Sequence, residues 1–491
     1  MRLSELLDGL YTKPIALPWQ AFDVAAISCD SREEQKGGLF VALPGFKFDG
    51  REFIDDAVKH GARIVAVKGC PPKGDNILSG DRTLYLDVED PKHFLRCLAR
   101  RFYGTPSARV KCVGVTGTNG KTTITYLIES IIRAAGSRCG VIGTINHRIG
   151  DKIIPSKNTT PGFLDNQRYL AQLADAGADY CVMEASSHAL DQGRLEDIHF
   201  SAGIFTNLTQ DHLDYHKDME DYFRAKSLLF SKLSSSSTAI INIDDPYGQK
   251  LLTLTGCPVI PYAVDTPAKV HAANIRYDLD GSRFDIIFPD GTINIHTRFI
   301  GRHNVYNILA AFAWGMSQGF GPQIIRQGIE KLQAVPGRLE GVDNDQGIFI
   351  FIDYAHTEDG LVNVLKALRA VTSERIILVF GCGGDRDRSK RPQMGQAACR
   401  LADYSIVTSD NPRSEDPAAI ISEIVVGFTK KNFETCIDRT QAISLALEMA
   451  QPGQVVLIAG KGHENYQIFK DRTITFDERD VVSQCLQSRK S

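Results

Sequence analysis

Val113-Gly114-Val115-Thr116-Gly117-Thr118-Asn119-Gly120-Lys121-Thr122-Thr123 follows the run Val110-Lys111-Cys112 and leads into Ile124-Thr125-Tyr126-Leu127-Ile128, so a β-branched strand gives way to a helix across a glycine turn. At such a junction backbone N–H groups and the positive end of the helix converge, which is the arrangement that binds a triphosphate. Glycine lets the backbone approach closely. Lys121 is placed for the β- and γ-phosphates, and the Thr122 hydroxyl for a magnesium ion. Gly117, Thr118, Asn119, Gly120, Lys121, Thr122 and Thr123 are therefore the candidate ATP-binding loop. One position departs from the strict phosphate-loop pattern: Val115 stands where that pattern has glycine. A glycine-rich turn with an incidental lysine is the alternative, and the strand before and helix after argue against it.

On either side of the loop, strand-like runs alternate with amphipathic stretches. CGVIGT, DYCVMEAS, SAGIFTNLT and TAIINID follow it, and IFIFIDYAH, RIILVFGCGGD, YSIVTSDNP and QVVLIAGKG repeat the scheme later. This alternation predicts βαβ units and largely parallel sheets, with ligands at the carboxyl ends of the strands. Each run ends in polar or glycine-rich residues, so their tips can share a cleft. Punctuation at Gly104-Thr105-Pro106-Ser107 and at Val335-Pro336-Gly337 divides the chain into segments 1–105, 106–335 and 336–491. The fold class expected is α/β with three domains, the central one a parallel-sheet ATPase domain.

Bulk properties narrow the class of function. The 491 residues are too many for one ordinary core, and 43% hydrophobic with 23% charged residues is the balance of a globular protein. A net charge of −3, with both signs interspersed, predicts neither a nucleic-acid nor a membrane surface. No eighteen-residue apolar run occurs, and the start MRLSELLDGLYTKP reads as folded sequence, so a cytoplasmic location is expected. The eleven cysteines are scattered and never form C-x-x-C, which predicts reduced thiols.

Three further elements of the middle segment carry chemistry. Glu184 in MEASSHAL offers a carboxylate for magnesium, which takes oxygen ligands. His212 in NLTQDHLDYH and Lys226 in DYFRAKSLLF are weaker when taken singly, since a histidine in such a place is more often a satisfied polar residue and a helical lysine more often extends to solvent. Lys226 is flanked by Phe223, Leu228, Leu229 and Phe230. Desolvation favours its neutral amine, and a neutral amine adds carbon dioxide to become a carbamate.

TGTNGKTT, MEASSHAL, FTNLTQDHLDYH and YFRAKSLLF, in this order and spacing, resemble the Mur ligase family over nearly the whole chain. CDSREEQKGGLFVALPG with DGREF resembles the uridine-nucleotide domain of the branch that adds the third peptide residue. DYAHTEDG, GCGGDRDRSKRPQMG, SDNPRSEDP and AGKGHENYQ resemble its Rossmann-like amino-acid domain. The resemblance implies that Ser31 and Phe46-Lys47-Phe48 contact the UDP sugar, and that Asn158, Thr159, Thr160, Ser186, Gln192 and Arg194 hold the muramoyl peptide. It implies further that Glu184 and His212 serve two magnesium ions with Thr122, and that Lys226 is carbamylated. Lys121, Glu184, His212 and Lys226 are then the catalytic set. Asn304, Asn307, Arg338 and Asp353 fall where the family contacts adenine nucleotide.

Within the family, Asp410-Asn411-Pro412-Arg413 decides the amino acid. Diaminopimelate differs from lysine by a second carboxylate, and a guanidinium binds a carboxylate through two parallel charge-assisted bonds. Arg413 supplies that fork, Arg386 stands beside it in GGDRD, and Gly460 and Glu464 are placed for the amino group. The alternative is a structural ion pair of Arg413 with Glu415 or Asp416. The expected reaction transfers the γ-phosphoryl of ATP to the D-glutamate side chain of UDP-N-acetylmuramoyl-L-alanyl-D-glutamate, after which meso-diaminopimelate attacks the acyl phosphate. Only small-molecule partners and a monomer are expected. The competing readings are a lysine-adding homologue, a folylpolyglutamate synthetase and a regulatory P-loop ATPase. The DSR segment at 30–32 argues against the synthetase, Arg413 against the lysine-adding homologue, and dependence of phosphate release on an acceptor amine separates a ligase from the ATPase.

Overall fold

The computed structural model describes residues 1–45, 49–69 and 83–489. Two compact units make up the described chain. The first holds Met1–Thr116, Ser137–Gly203 and His212–Ser237, and the second Gly117–Gly136, Ile204–Asp211 and Thr238–Ser491.

In the first unit, four short strands, Ile27–Ser28, Gly38–Val41, Ala62–Val67 and Leu84–Asp87, pair in that order and all in parallel. The helix Pro91–Tyr103 closes this sheet with Phe94, Leu95 and Leu98, and Leu164 of the following segment joins the same apolar cluster. Charge pairs add to that junction. Arg96 donates to both oxygens of Asp197 at 3.2 and 2.8 Å, and Arg168 bridges Asp165 and Glu33 at 2.5 and 3.3 Å. Beyond it, Lys111–Thr116 pairs in parallel with Tyr180–Glu184, which pairs in parallel with Cys139–Ile142. An antiparallel hairpin, Asn146–Ile149 and Lys152–Pro155, continues from there.

In the second unit the strands Thr238–Asn242, Val259–Ala263 and Val270–Asp278 are parallel, and Gly281–Phe288 and Gly291–Thr297 extend them antiparallel. The sheets are thus parallel where helices cross over and antiparallel only at their hairpins, which need no crossover. The helix Lys121–Ala134 packs against Pro322–Lys331, where a Cβ on Gly328 would lie 2.5 Å from the Ile131 Cα.

The C-terminal sheet orders its strands Glu340–Val342, Phe349–Asp353, Val455–Ala459, Ile376–Phe380, Tyr404–Thr408 and Phe433–Cys436, parallel except at the first. Ile376, Leu378 and Phe380 face one apolar cluster with Leu361, Leu365 and Met394, whereas Ile377 and Val379 face another with Ile443, Leu447 and Val482. Helices on both faces explain why these strands read as unbroken apolar runs. The last strand, Val455–Ala459, inserts between the first two parallel strands, so the order reverses there and the loops at its carboxyl end flank a topological switch point. No helix among the described residues is long and apolar enough to cross a membrane.

Candidate active site

In the phosphate loop the glycines are required by contact. A Cβ on Gly117 (φ +146°) would lie 1.7 Å from the Thr206 Oγ1, and one on Gly120 (φ +89°) 2.4 Å from the Asn307 Oδ1. Both angles lie where side chains are disfavoured. The segment after the strand Phe200–Phe205 braces the loop from outside. Thr118 N–H donates to the Asn207 carbonyl at 2.9 Å, Asn119 N–H to the Asn207 Oδ1 at 3.0 Å, and the Thr206 hydroxyl to the Asn119 carbonyl at 2.7 Å. Lys121 donates back to the carbonyls of Gly117 and Thr118 at 3.0 and 2.8 Å, and Thr122 and Thr123 are buried at the first turn of the helix. Asn307 donates to the Asn304 Oδ1 at 3.0 Å, and Asn304 to the Ile300 carbonyl at 2.9 Å, which fixes both amides beside Gly120. Arg338 and Asp353 form a separate group. The Asp353 carboxylate accepts from the N–H groups of Leu339 and Ala355 at 2.6 and 2.8 Å, and the Arg338 guanidinium lies 5.3 Å from the centre of the Tyr354 ring. Burial pushes the Asp353 carboxyl upward in pKa.

In the first unit, Glu184 is buried at the end of its strand. Its carboxylate accepts from the Thr144 N–H at 2.8 Å and the Thr144 hydroxyl at 2.9 Å, with Gly143 leaving room for it. The Thr144 hydroxyl lies 3.1 Å from that of Thr159, and Thr160 donates to the Glu184 carbonyl at 2.6 Å while accepting from the Ser186 N–H at 3.1 Å. Arg194 donates to the Thr160 carbonyl and twice to the Gln192 Oε1. Thr159, Thr160, Ser186, Gln192 and Arg194 thus form one polar network with Glu184, and Asn158 sits exposed at its rim. Ser31 is buried in the N-terminal sheet's first connection. Phe46, Lys47 and Phe48 lie outside the described residues.

His212 adopts φ +54°, a left-handed conformation costly for a non-glycine residue and concentrated at working sites. Its ring stands perpendicular to that of His188 at 4.9 Å and to that of Tyr222 at 6.1 Å. Lys226 is only 2% exposed, with its Nζ 4.4 Å from the centre of the same Tyr222 ring. The helix Met219–Ser231 therefore buries the lysine that an ordinary amphipathic helix would extend to solvent. His188, whose pKa is lowered by burial and then by His212 and His216, and Thr144 are the members that sequence reasoning missed. Both lie in quoted motifs, SSHAL and CGVIGT, but only contact geometry singles them out. Among the described residues no three His, Cys, Asp or Glu side chains converge as a complete cation cage.

The C-terminal site is built from the loops after four strands. Lys461 is fully buried. Its Nζ lies 3.0 Å from the Asn411 Oδ1, 3.4 Å from the Asp410 carboxylate and 3.5 Å from the Glu464 carboxylate. Asn411 in turn donates to Glu464 at 2.8 Å. A Cβ on Gly460 (φ +123°) would lie 2.9 Å from the Asp410 carboxylate, so glycine is what lets these loops meet. Beneath them Arg439 and Glu478 pair with no exposure, and Arg439 also donates to the carbonyls of Ser409 and Ala459 at the ends of two strands. Arg413, in the left-handed region at φ +53°, donates to the Gly384 carbonyl at 2.7 Å and lines a cleft of about 320 Å³ with Pro412, Phe469 and Lys470. Among the described residues no carboxylate lies within 4.0 Å of its guanidinium: Glu415 is held by Arg391 and Asp416 caps the helix Pro417–Val425. The ion-pair alternative for Arg413 therefore does not hold. Arg386 is exposed beside Asp385. A larger hollow, about 620 Å³, lies in the first unit at the amino ends of the strands Lys111–Thr116 and Tyr180–Glu184, opposite the end that carries Glu184.

Comparison with known proteins follows the same three stretches. Residues 23–103 match the Mur ligase family catalytic domain, 115–315 the Mur ligase middle domain, and 337–462 the Mur ligase glutamate ligase domain. The UDP-N-acetylmuramoyl-L-alanyl-D-glutamate–2,6-diaminopimelate ligase of Geobacter metallireducens is 46% identical over 486 residues, covering 94% of each chain. The enzyme of the same name from Syntrophomonas wolfei is 40% identical and covers all of both chains. A solved structure with that name aligns over 100% of both chains at 33% identity and a TM-score of 0.70. The ADP complex of MurF from Thermotoga maritima, at 18% identity and a TM-score of 0.65, shares the fold. With its three α/β domains and all three of these matches, the chain belongs to the Mur ligase family.

Proposed function

We propose that this chain is an ATP-dependent ligase that joins meso-diaminopimelate to the D-glutamate of UDP-N-acetylmuramoyl-L-alanyl-D-glutamate, releasing ADP and phosphate in the making of peptidoglycan precursor. The observation that carries the amino-acid assignment is that the Arg413 guanidinium lines a cleft with no carboxylate within 4.0 Å of it among the described residues, while Glu464 is held in place by Lys461 and Asn411. A fork for a distal carboxylate beside an acid for an ammonium suits the far end of a diamino diacid. Lysine has no group for Arg413, and leaving that cation unmatched weakens its binding.

In this reading the 117–123 loop holds the triphosphate, with Asn304, Asn307, Arg338 and Asp353 toward the adenosine. Ser31 and the network of Thr159, Thr160, Ser186, Gln192 and Arg194 hold the UDP-muramoyl peptide. A glutamate side-chain oxygen attacks the γ-phosphorus, the bond to the β-bridging oxygen of ATP breaks, and an acyl phosphate forms with release of ADP. The diaminopimelate amine then adds to the acyl carbon, loses a proton and expels phosphate, leaving the amide. Lys121 changes partners from loop carbonyls to phosphate oxygens and follows the charge as it moves. Magnesium, when bound, neutralises the phosphates, and Thr122, Glu184, His212 and a carbamylated Lys226 are the residues that would hold two such ions. Oxygen donors on Glu184 and Thr122, and a buried Lys226 amine able to become a carboxylate equivalent, fit that ion. The chain acts as a cytoplasmic monomer on small-molecule substrates, with domains 1–105, 106–335 and 336–491.

The test is phosphate release from ATP in the presence of the UDP-muramoyl dipeptide with either diaminopimelate or lysine. Turnover should require the dipeptide and the amine together and should favour diaminopimelate. Equal turnover with lysine would sink the amino-acid assignment, and turnover without any amine would sink the ligase reading.

A further inference from the structure

Several acidic side chains lie close to Arg413 in sequence or in space, yet among the described residues none pairs with it: Asp410 pairs with Lys461, and Asp471, on the same cleft, lies 3.6 Å from Arg472. Asp416 caps a helix. Asp385, itself at φ +54°, accepts from the Ser414 N–H at 3.2 Å and the Ser414 hydroxyl at 2.5 Å. Glu415 and Glu423 are both gripped by Arg391, whose side chain has no exposure. To Glu415 the grip is a fork, with Nη1 to Oε2 at 3.0 Å and Nη2 to Oε1 at 2.8 Å, and to Glu423 it is a single bond at 2.8 Å. Arg388 completes the set on Glu423 at 2.5 Å, so two guanidiniums balance two carboxylates.

One peptide group shows how Glu415 and Arg413 are kept apart. Arg413 donates to the Gly384 carbonyl, and Glu415 Oε1 accepts from the Asp385 N–H at 2.6 Å. That carbonyl and that N–H belong to the same peptide bond, which is trans, so they point in opposite directions. Guanidinium and carboxylate thus sit at opposite edges of that peptide group, although they are two residues apart in the chain. Arg391 holds the carboxylate on its side.

We infer that Arg391 is a positioning residue for amino-acid selection: by taking the Glu415 carboxylate it keeps Arg413 open for the distal carboxylate of the substrate. Without Arg391, Glu415 keeps only the mostly exposed Arg388, 3.6 Å away, as a cation, and turning toward the open Arg413 guanidinium two residues along the chain gives it a closer partner. The Arg413 fork would then be occupied by the protein's own acid, and a diamino diacid would lose the advantage it holds over lysine. The inference rests on the diaminopimelate reading above.

The experiment uses the full chain in the phosphate-release assay with ATP, the UDP-muramoyl dipeptide, and diaminopimelate or lysine. Arg391→Met should raise the KM for diaminopimelate by about tenfold or more while changing kcat and the KM for ATP little, and should narrow the preference over lysine. Adding Glu415→Gln to that variant removes the competing charge and should bring the KM back to within about threefold of the starting value. Loss of packing alone would not be repaired by that second change. Should Arg391→Met fail to fold, Arg391→Lys keeps a cation without the fork, and its raised KM should likewise fall when Glu415→Gln is added. An unchanged KM in the Arg391 variants, or a double variant no better than the single one, overturns the inference. A starting enzyme without preference for diaminopimelate overturns the underlying reading instead, before any variant is made.

Discussion

Around residues 117–123 the working groups are backbone amides, and the neighbouring side chains act by leaving no space: Thr206 and Asn307 stand where any Cβ on Gly117 or Gly120 would go. Around residues 410–413 and 460–464 the working groups are side chains, most of them charged and buried, drawn from loops fifty residues apart and neutralised in pairs. The first arrangement is local and, in the proposed reading, binds a group common to many substrates. The second is assembled by the sheet and, in the proposed reading, discriminates between amino acids differing by one carboxylate. A change in the first should therefore abolish phosphoryl transfer for every amine, whereas a change in the second should alter which amine is used.

The largest effect expected is from Gly117→Ala. The added methyl meets the Thr206 hydroxyl at 1.7 Å in a backbone conformation that alanine resists, so the loop must move away from its bracing strand end. Turnover should fall by roughly a hundredfold to a thousandfold with diaminopimelate and lysine alike, as when oriented donors are lost from a charged transition state. Phosphate release at saturating amine measures it, and a selective loss for one amine would break the contrast between the two regions.

Lys226→Ala comes next, with an expected loss on the order of a hundredfold. Lys226 is buried against Tyr222, where a carbamate would be shielded from water. Short carboxylic acids added to the variant should restore part of the rate by occupying the vacated space. A variant that no added acid improves would argue against the carbamate.

The first of these predictions concerns a residue that the sequence exposes plainly, for a physical reason, whereas Lys226 stands out only through the family resemblance. The TGTNGKTT loop is contiguous, and its glycines, lysine and threonines must follow one another to wrap a phosphate, so its chemistry is readable without a fold. The parallel sheets were equally legible, because helices on both faces demand the unbroken apolar runs of RIILVF and QVVLIA. Arg413 was legible through its motif. What escaped was the support. Lys461, Arg439 and Arg391 look like surface cations in a linear reading, and only the pairing of strands 404–408, 455–459 and 376–380 brings them beneath the loops they hold. Thr144 and His188 escaped likewise, since their partners Glu184 and His212 lie 40 and 24 residues away.

Lys461→Met sharpens the contrast from the other side. Removing the ammonium leaves Asp410 buried without its cation and releases Asn411 and Glu464 from a shared anchor. A buried partner left unsatisfied costs about 1–3 kcal/mol, so the KM for diaminopimelate should rise by about tenfold to a hundredfold with the KM for ATP unchanged. Initial-rate titrations of each substrate separate the two, and a melting curve on the same variant checks that the domain stays folded. An equal rise in both constants would mean that the two regions are not independent.

The smallest effect is in the acid range. The Arg391 guanidinium, with help from the Asp385 N–H, lowers the Glu415 carboxyl from 4.5 to about 2. A carboxylate with a depressed folded-state pKa stabilises the native state fully above its unfolded value, and that contribution is lost as pH falls toward the folded value. The window here runs from 4.5 down to about 2. The melting temperature of the starting protein should therefore exceed that of Glu415→Gln by a constant amount between neutral pH and about pH 5, and the gap should close through that window. Asp244, lowered to about 2, is held chiefly by backbone N–H groups of residues 264–266 and the Tyr306 hydroxyl instead of a guanidinium. Its counterpart Asp244→Asn should show a similar closing gap, but one less sensitive to added salt, because its hydrogen-bond partners are uncharged donors. Salt that left both gaps untouched would mean that the Arg391 pair is too enclosed for ions to reach, which would tighten the case that it is a fixed part of the amino-acid site.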